Sequence, residues 1–401
     1  MGLVVGLKHI AGGCHPIIIA AMKFDRTAVA LCCSAVASQI QQILESSTTA
    51  TVAMLSTCET GRTMRNGRYL KGGSIPTRAQ SVWYLTDTKG DEQEFLHFTG
   101  MTRKSFDDLV AICNEYLDSN MIKPGVGKKK KARCKRRKFR NRDIVAIALK
   151  FLLSNAELKN LHVQFGSAVS TFNELAWFGI DCFVVCVGRC DLGKVFWDRS
   201  EEHLSRCAER TKLFLDISGV VAMVDGDKLG SKSPSDHLLQ NRDYNGWTKD
   251  VNRNVVLVWD VFGKIVDAAV NAPGTFHDSR TAWWCKIYDR CKDLPKGYKC
   301  CCDDAFYTKG ELMNKLVKTK EEFREGELRS NYDQQLTHLR QCSEWGNQVL
   351  TGTFRILKGR LPTDNVKRAK ILWACIYLHN WRTETVARNQ ITTYFNNLEK
   401  D

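Results

Sequence analysis

The chain has 401 residues, 43% hydrophobic and 26% charged, a composition that suits two or three folded domains and argues against a disordered polypeptide. With 59 Lys and Arg against 44 Asp and Glu, the formal charge is +15; a polyanion, nucleic acid first, is the expected partner, because cations gain affinity by displacing counterions from phosphates. No apolar run reaches the ~18 residues of a membrane span: the richest, His15 to Ile40, is interrupted by Lys23, Asp25 and Arg26, so no membrane is expected and no targeting role is assigned to it.

Residues 1 to 92 show no usable periodicity and stay unassigned, with disorder as one expectation. The 17 cysteines are scattered without a secretory signal, which favours reduced thiols. Cys182, Cys186 and Cys190, spaced by four, share a helical face and read as small apolar groups rather than as a zinc site, which more often shows C-x2-C pairs.

A helical, DNA-binding module is expected over residues 93 to 215. Ser105 with Asp108 resembles a helix cap, and Phe106, Leu109, Val110, Cys113 and Leu117 follow at helical spacing. Pro124, Gly125 and Gly127 break that helix. A dense basic run comes next: Lys128, Lys129, Lys130, Lys131, Arg133, Lys135, Arg136, Arg137, Lys138, Arg140 and Arg142. Such a run also serves as a solvated surface or a nuclear-import signal. Its placement favours DNA, because Ile144 to Leu152, Leu158 to Phe165 and Val169 onward read as three helices. The turn between the last two, at Gly166 and Ser167, suits a helix-turn-helix.

From Val220 the pattern changes to α/β, expected over residues 216 to 401. Val220 to Val224 is a continuous apolar strand that runs into Asp225 and Gly226. Asn254 to Trp259 and Lys264 to Val270 predict a hairpin around Gly263. Asp278 opens a helical stretch through Tyr288, a strand from Tyr298 to Cys302 runs into Asp303 and Asp304, and Glu344 stands near the start of a closing helix. Strand, strand, strand, helix, strand, helix, helix is the order of a ribonuclease-H-like fold, whose first and fourth strands are neighbours, so acids at their ends converge. Carboxylates so grouped suit Mg2+ or Mn2+, two ions of which serve phosphodiester cleavage in many nucleases. Taken singly, an Asp at a strand end is most often a turn former or cap, and a Glu in a first helical turn most often a partner of the helix dipole.

Several segments, in this order, resemble the PIF/Harbinger-type transposases of the DDE superfamily of endonucleases. They are Val224-Asp225-Gly226, Tyr244-Asn245-Gly246-Trp247, Pro273-Gly274-Thr275-Phe276-His277-Asp278-Ser279-Arg280, Cys302-Asp303-Asp304-Ala305-Phe306, Ser343-Glu344-Trp345-Gly346, Leu357-Lys358-Gly359-Arg360-Leu361-Pro362 and Leu378-His379-Asn380-Trp381-Arg382-Thr383. The resemblance implies that Asp225, Asp303 and Glu344 form a metal-binding catalytic triad, with Asp278 as a fourth carboxylate. It also implies metal-dependent cutting of element ends, strand transfer into a short target site, a Myb/SANT-like DNA-binding partner and work in the nucleus. A homo-oligomer is compatible with it. Where that family has Gly before its second Asp and a small residue after it, this chain has Cys302 and Asp304, which leaves the second acid open between Asp303 and Asp304. Two other readings stay open: a domesticated DNA-binding protein without activity, and a cellular nuclease of the same fold.

Overall fold

The computed structural model describes residues 75–120, 138–214, 217–318, 331–387 and 389–398. The chain divides into two compact units, 1–71 and 72–401; the first lies outside the described residues, and so does most of the basic run, Lys128 to Arg137.

Helical structure begins ahead of the expected boundary at 92/93. Helices α1 (Val82–Thr88) and α2 (Glu92–Thr99) precede α3 (Arg103–Ser119), α4 (Asn141–Leu153), α5 (Leu158–Leu161) and α6 (Val169–Cys186). The missed signal is aromatic: Trp83 is buried against Phe95, Phe98, Phe106 and Phe165, with ring centroids 5.7 to 6.2 Å away. The cap of α3 is Thr102, whose hydroxyl accepts the Ser105 N–H at 3.2 Å; Ser105 is buried one turn inside the helix. Gly166 turns the chain between α5 and α6 at φ 59.

By length and composition, residues 169–189 could cross a membrane, contrary to the expectation from sequence. Here α6 packs on α3, α4 and a C-terminal helix α12 (Asn365–Thr385). Cys182 is buried there, its Sγ 3.8 Å from the Cys113 carbonyl and from Cys186 Sγ.

The sheet is built on β1 (Val220–Gly230). It pairs antiparallel with β3 (Asp250–Asp260) and parallel with β5 (Lys299–Cys302). β4 (Ile265–Pro273) returns antiparallel along β3, β2 (Tyr244–Asn245) adds to β3, and β6 (Leu316–Lys318) lies parallel to β5. The first long strand and the fourth are thus neighbours, as the element order predicts. Gly263, at φ 80, makes the β3–β4 turn.

Helix α7 (Glu201–Phe214) and helix α11 (Asn331–Thr353) pack on β1, while α12 packs on β4. Helices α8 (His237–Asp243), α9 (Asp278–Trp284) and α10 (Ile287–Lys292) fill the connections, and α13 (Gln390–Leu398) closes the chain. The expected single helix after Asp278 is two, because Lys286 adopts φ 62 and interrupts it.

Consecutive residues of α12 tie the sheet to the helical part. His379 Nε2 meets the Gly263 carbonyl at 3.0 Å, Asn380 brackets the Ile265 backbone N–H and carbonyl, Trp381 Nε1 donates to Ser105 Oγ at 3.1 Å, and Arg382 donates to the Gly100 carbonyl at 2.8 Å. The segment 378 to 383 is therefore a clamp between the β3–β4 turn and the start of α3.

Two outcomes follow. Asp143 is fully buried and accepts from Trp83 Nε1, from the Arg140 backbone N–H and from the Arg78 guanidinium; Asp143→Ala strands those donors and is expected to cost ~3–5 kcal/mol, read as a lowered urea midpoint. Burial pulls the His379 pKa down to about 4, so the unfolded chain takes up a proton near pH ~6.5 that the fold refuses. That contribution to stability is present above about pH 6.5 and drains as pH falls toward 4. The stability gap between wild type and His379→Gln should shrink by ~2 kcal/mol from about pH 7 to 5, measured by urea unfolding.

Candidate functional site

Asp225 is only 8% exposed. β1 does not stop there, as the abrupt end of its apolar run suggests; it continues to Gly230 because β3 keeps pairing with it, Asp225 opposite Leu257 and Gly230 opposite Asn252. What ends is the parallel partner. The last β1–β5 pair is Val224 with Cys302, so Asp303 leaves the sheet beside Asp225.

Strand alternation places Met223, Asp225 and Asp227 on one face of β1. Helix α11 covers that face: Asn347 Nδ2 donates to Asp225 Oδ2 at 2.9 Å while its Oδ1 accepts from Trp259 Nε1 at 3.1 Å. Glu344, one turn earlier on α11, lies well inside a 23-residue helix rather than near its start. Its side chain is 40% exposed and pairs with Arg340 at 2.6 Å.

Asp278 arrives from the other side. A Cβ on Gly226 would fall inside contact distance of the Asp278 carboxyl, so Gly226 leaves the room that the acid fills. Asn254 on β3 fixes it, with Nδ2 donating to Asp278 Oδ1 at 2.8 Å, to Thr281 Oγ1 and to the Phe276 carbonyl. Asn254 Oδ1 is buried and has no hydrogen-bond partner among the described residues.

The electrostatics report one shared field. Burial pushes Asp225 up to about 7, and the charges of Asp303, Glu344 and Asp278 add to the rise; the Gly226 N–H, donating to Oδ1, opposes it. Asp227 is raised too, by burial and then by Asp278, against a hydrogen bond from the Lys228 N–H. Asp304 points elsewhere, to Lys318 Nζ at 2.6 Å. Reasoning from sequence missed Asp227, Asn254 and Asn347. Asp227 was legible as the next residue on the Asp225 face; the two amides carry no such signal, since their role exists only after the sheet and α11 meet.

Among the described residues, no three His, Cys, Asp or Glu side chains stand close enough together to hold one ion, and Glu344 is turned onto Arg340. In chemical type the acids are hard oxygen donors, the class that divalent cations prefer, and a positive charge would relieve their mutual repulsion around the buried Asp225; as placed they do not form an ion site.

Residues 224–380 match a family model described as DDE superfamily endonuclease. The match covers less than half of the chain but takes in Asp225, Asp278, Asp303 and Glu344. It supports a transposase-like nuclease domain in this segment, and the mixed sheet with its helices is consistent with one. No curated protein and no solved structure matches the chain.

The basic residues divide. Lys128, Lys129, Lys130, Lys131, Arg133, Lys135, Arg136 and Arg137 lie outside the described residues, and Lys138 is exposed. Arg140 pairs with Asp143 at 3.0 Å and Asp87 at 3.4 Å, and Arg142 with Asp87 at 2.7 Å and with Asp107. These two arginines are bound up in the fold of the helical part.

Gly226→Ala is expected to destabilise by ~1–3 kcal/mol, since the methyl collides with a held carboxylate. Combining it with Asp278→Ala should recover about 1 kcal/mol or more, a coupling read from a double-mutant unfolding cycle.

Proposed function

We propose that this chain is a divalent-metal-dependent DNA nuclease of the Harbinger transposase type, cutting element ends and transferring their strands. The observation that carries the reading is Asp225, raised first by its burial and then by the charges of Asp303, Glu344 and Asp278, within a segment that matches a DDE endonuclease model. A ribonuclease-H-like architecture fits the parallel β1–β5 pair at the centre of the sheet.

In this reading Asp225, Asp303 and Glu344 hold the metal, probed as Mg2+ or Mn2+ and by chemical precedent two ions, with Asp278 as the fourth acid. Bound there, such ions neutralise charge on the scissile phosphate and activate the attacking oxygen. The chain's own residues orient the acids. Asn347 and the Gly226 N–H each occupy one lone pair of Asp225 and leave another free on both oxygens. Asn254 fixes Asp278, and Glu344 must exchange Arg340 for the site. Asp303 is preferred to Asp304 as the second acid, because its charge acts on Asp225 while Asp304 is paired with Lys318.

DNA is the substrate, with the run from Lys128 to Lys138 as its cationic contact and the α4–α6 helices as a helix-turn-helix-like module. Arg140 and Arg142 would act by holding that module together. A Myb/SANT-like partner, self-association and a nuclear setting belong to the same reading. A second reading, a domesticated DNA-binding protein that no longer cuts, is favoured by one feature, the Glu344–Arg340 pair.

The deciding experiment is Mg2+- or Mn2+-dependent nicking of a supercoiled plasmid carrying the flanking element ends, with folded full-length protein. Asp225→Asn, Asp303→Asn and Glu344→Gln should each lower the rate ~100-fold or more, while Asp304→Asn stays within a few-fold. Folded wild type that binds these ends and never nicks them would instead support the domesticated reading.

A further inference from the structure

Four large rings stand in solvent on or next to segments that carry the acids: Trp247 is 90% exposed, Trp283 70%, Trp284 54% and Tyr307 53%. Scattered apolar residues on a surface need no explanation. These four differ because each is tied to a segment that also carries the site. Trp283 and Trp284 end α9, the helix that Asp278 begins, roughly 8 Å along its axis. Trp284 packs edge-on against Phe276 at 5.7 Å, and the Phe276 carbonyl takes a hydrogen bond from Asn254, the residue that fixes Asp278.

Tyr307 follows Asp303 by four positions. Its N–H donates to Tyr288 Oη, which is also 2.7 Å from the hydroxyl of Ser279, the neighbour of Asp278. Trp247 sits in the turn after β2. There Asn245 accepts the Trp247 N–H at 3.0 Å and donates to the Gly274 carbonyl at 2.6 Å, bolting that turn to the loop that leads into Asp278. The backbone that carries Trp247 and Tyr307, and the ring of Trp284, are therefore tied to segments that also position the site.

Cations accompany them along the chain. The Arg280 guanidinium lies 4.3 Å from the Phe276 ring centroid, in the turn of α9 between Asp278 and its two tryptophans, and two positions from Trp247 and Trp284 are the exposed Lys249 and Lys286, the latter 3.5 Å from Asp289. Aromatic faces alternating with positive charge suit a nucleic-acid strand, with phosphates on the cations and bases on the rings. A duplex hides the faces of its bases, so these rings gain only from bases that have left the stack.

We propose that this aromatic rim receives unpaired bases of the DNA end at the site, stacking on Trp283 and Trp284 first and holding the strand open while its phosphate descends to the buried Asp225. This rests on the nuclease reading above and adds to it a preference for frayed or single-stranded flanks.

The test uses the full-length wild-type chain in EDTA, so that binding is observed without cutting. Three probes are compared: a blunt duplex, the same duplex with a single-stranded thymine tail, and a thymine oligonucleotide. Wild type should bind the tailed duplex about tenfold more tightly than the blunt one, with quenching of tryptophan fluorescence. Trp283→Ala and Trp284→Ala should remove most of that preference and quenching while leaving blunt-duplex affinity within a few-fold, and Trp283→Phe should keep the preference. DNA binding with no preference for the tail, or a preference untouched in the tryptophan variants, overturns the rim and assigns those rings to a protein partner. Folded wild type that binds none of the probes overturns the nuclease reading and the rim together.

Discussion

Burying one carboxylate inside the field of others is the constraint around which this molecule is arranged. A charged Asp225 loses hydration under α11 and has no ion-pair partner among the described residues, so its ionised form is costly and its proton is retained up to about 7. The fold offsets this only in part. Asn347 and the Gly226 N–H supply two hydrogen bonds, and Arg340 of α11 is paired with Glu344. In the proposed reading a charge from outside the chain relieves the repulsion left among these acids, the same electrostatic logic by which perturbed groups mark functional sites.

That arrangement depends on two strand pairings that end at different places. β3 follows β1 through Asp225 to Gly230, which keeps the backbone there regular and buried. β5 stops at Cys302, which delivers Asp303 and frees the space beside Asp225. The opposite face contributes through absence: Gly226 has no side chain, and Asp278 occupies the vacated volume under the control of Asn254. The α12 clamp keeps this sheet in register with the helical part through polar contacts, and buried polar contacts fix geometry more sharply than apolar area does.

Much of the architecture was legible in the sequence because it rests on periodicity and punctuation. The apolar run at Val220 to Val224, the Gly263 turn and the short strand before Asp303 are local signals, and the structure has strands and a turn at those places. Errors arose where the deciding partner is distant. The end of β1 was misread because its continuation depends on β3. Glu344 lies inside α11 because Leu336, Leu339 and Cys342, buried at helical spacing, carry the helix upstream of it, and α1 has no local signal because Trp83 finds its neighbours on α2, α3 and the segment after α5.

The sequence by itself determined which acids exist, their order, the alternation that separates Asp225 from Gly226 and the basic excess that calls for a polyanion; these are covalent and local facts. Only the tertiary structure decided which acids feel one another. It brought Asp303 to Asp225 and sent Asp304 to Lys318, set Asp278 across the strand from Asp225, and tied Arg140 and Arg142 to the covered carboxylates of Asp143 and Asp87. The physical reason is that Coulomb interaction and desolvation depend on distance and burial in space, and neither is a function of separation along the chain.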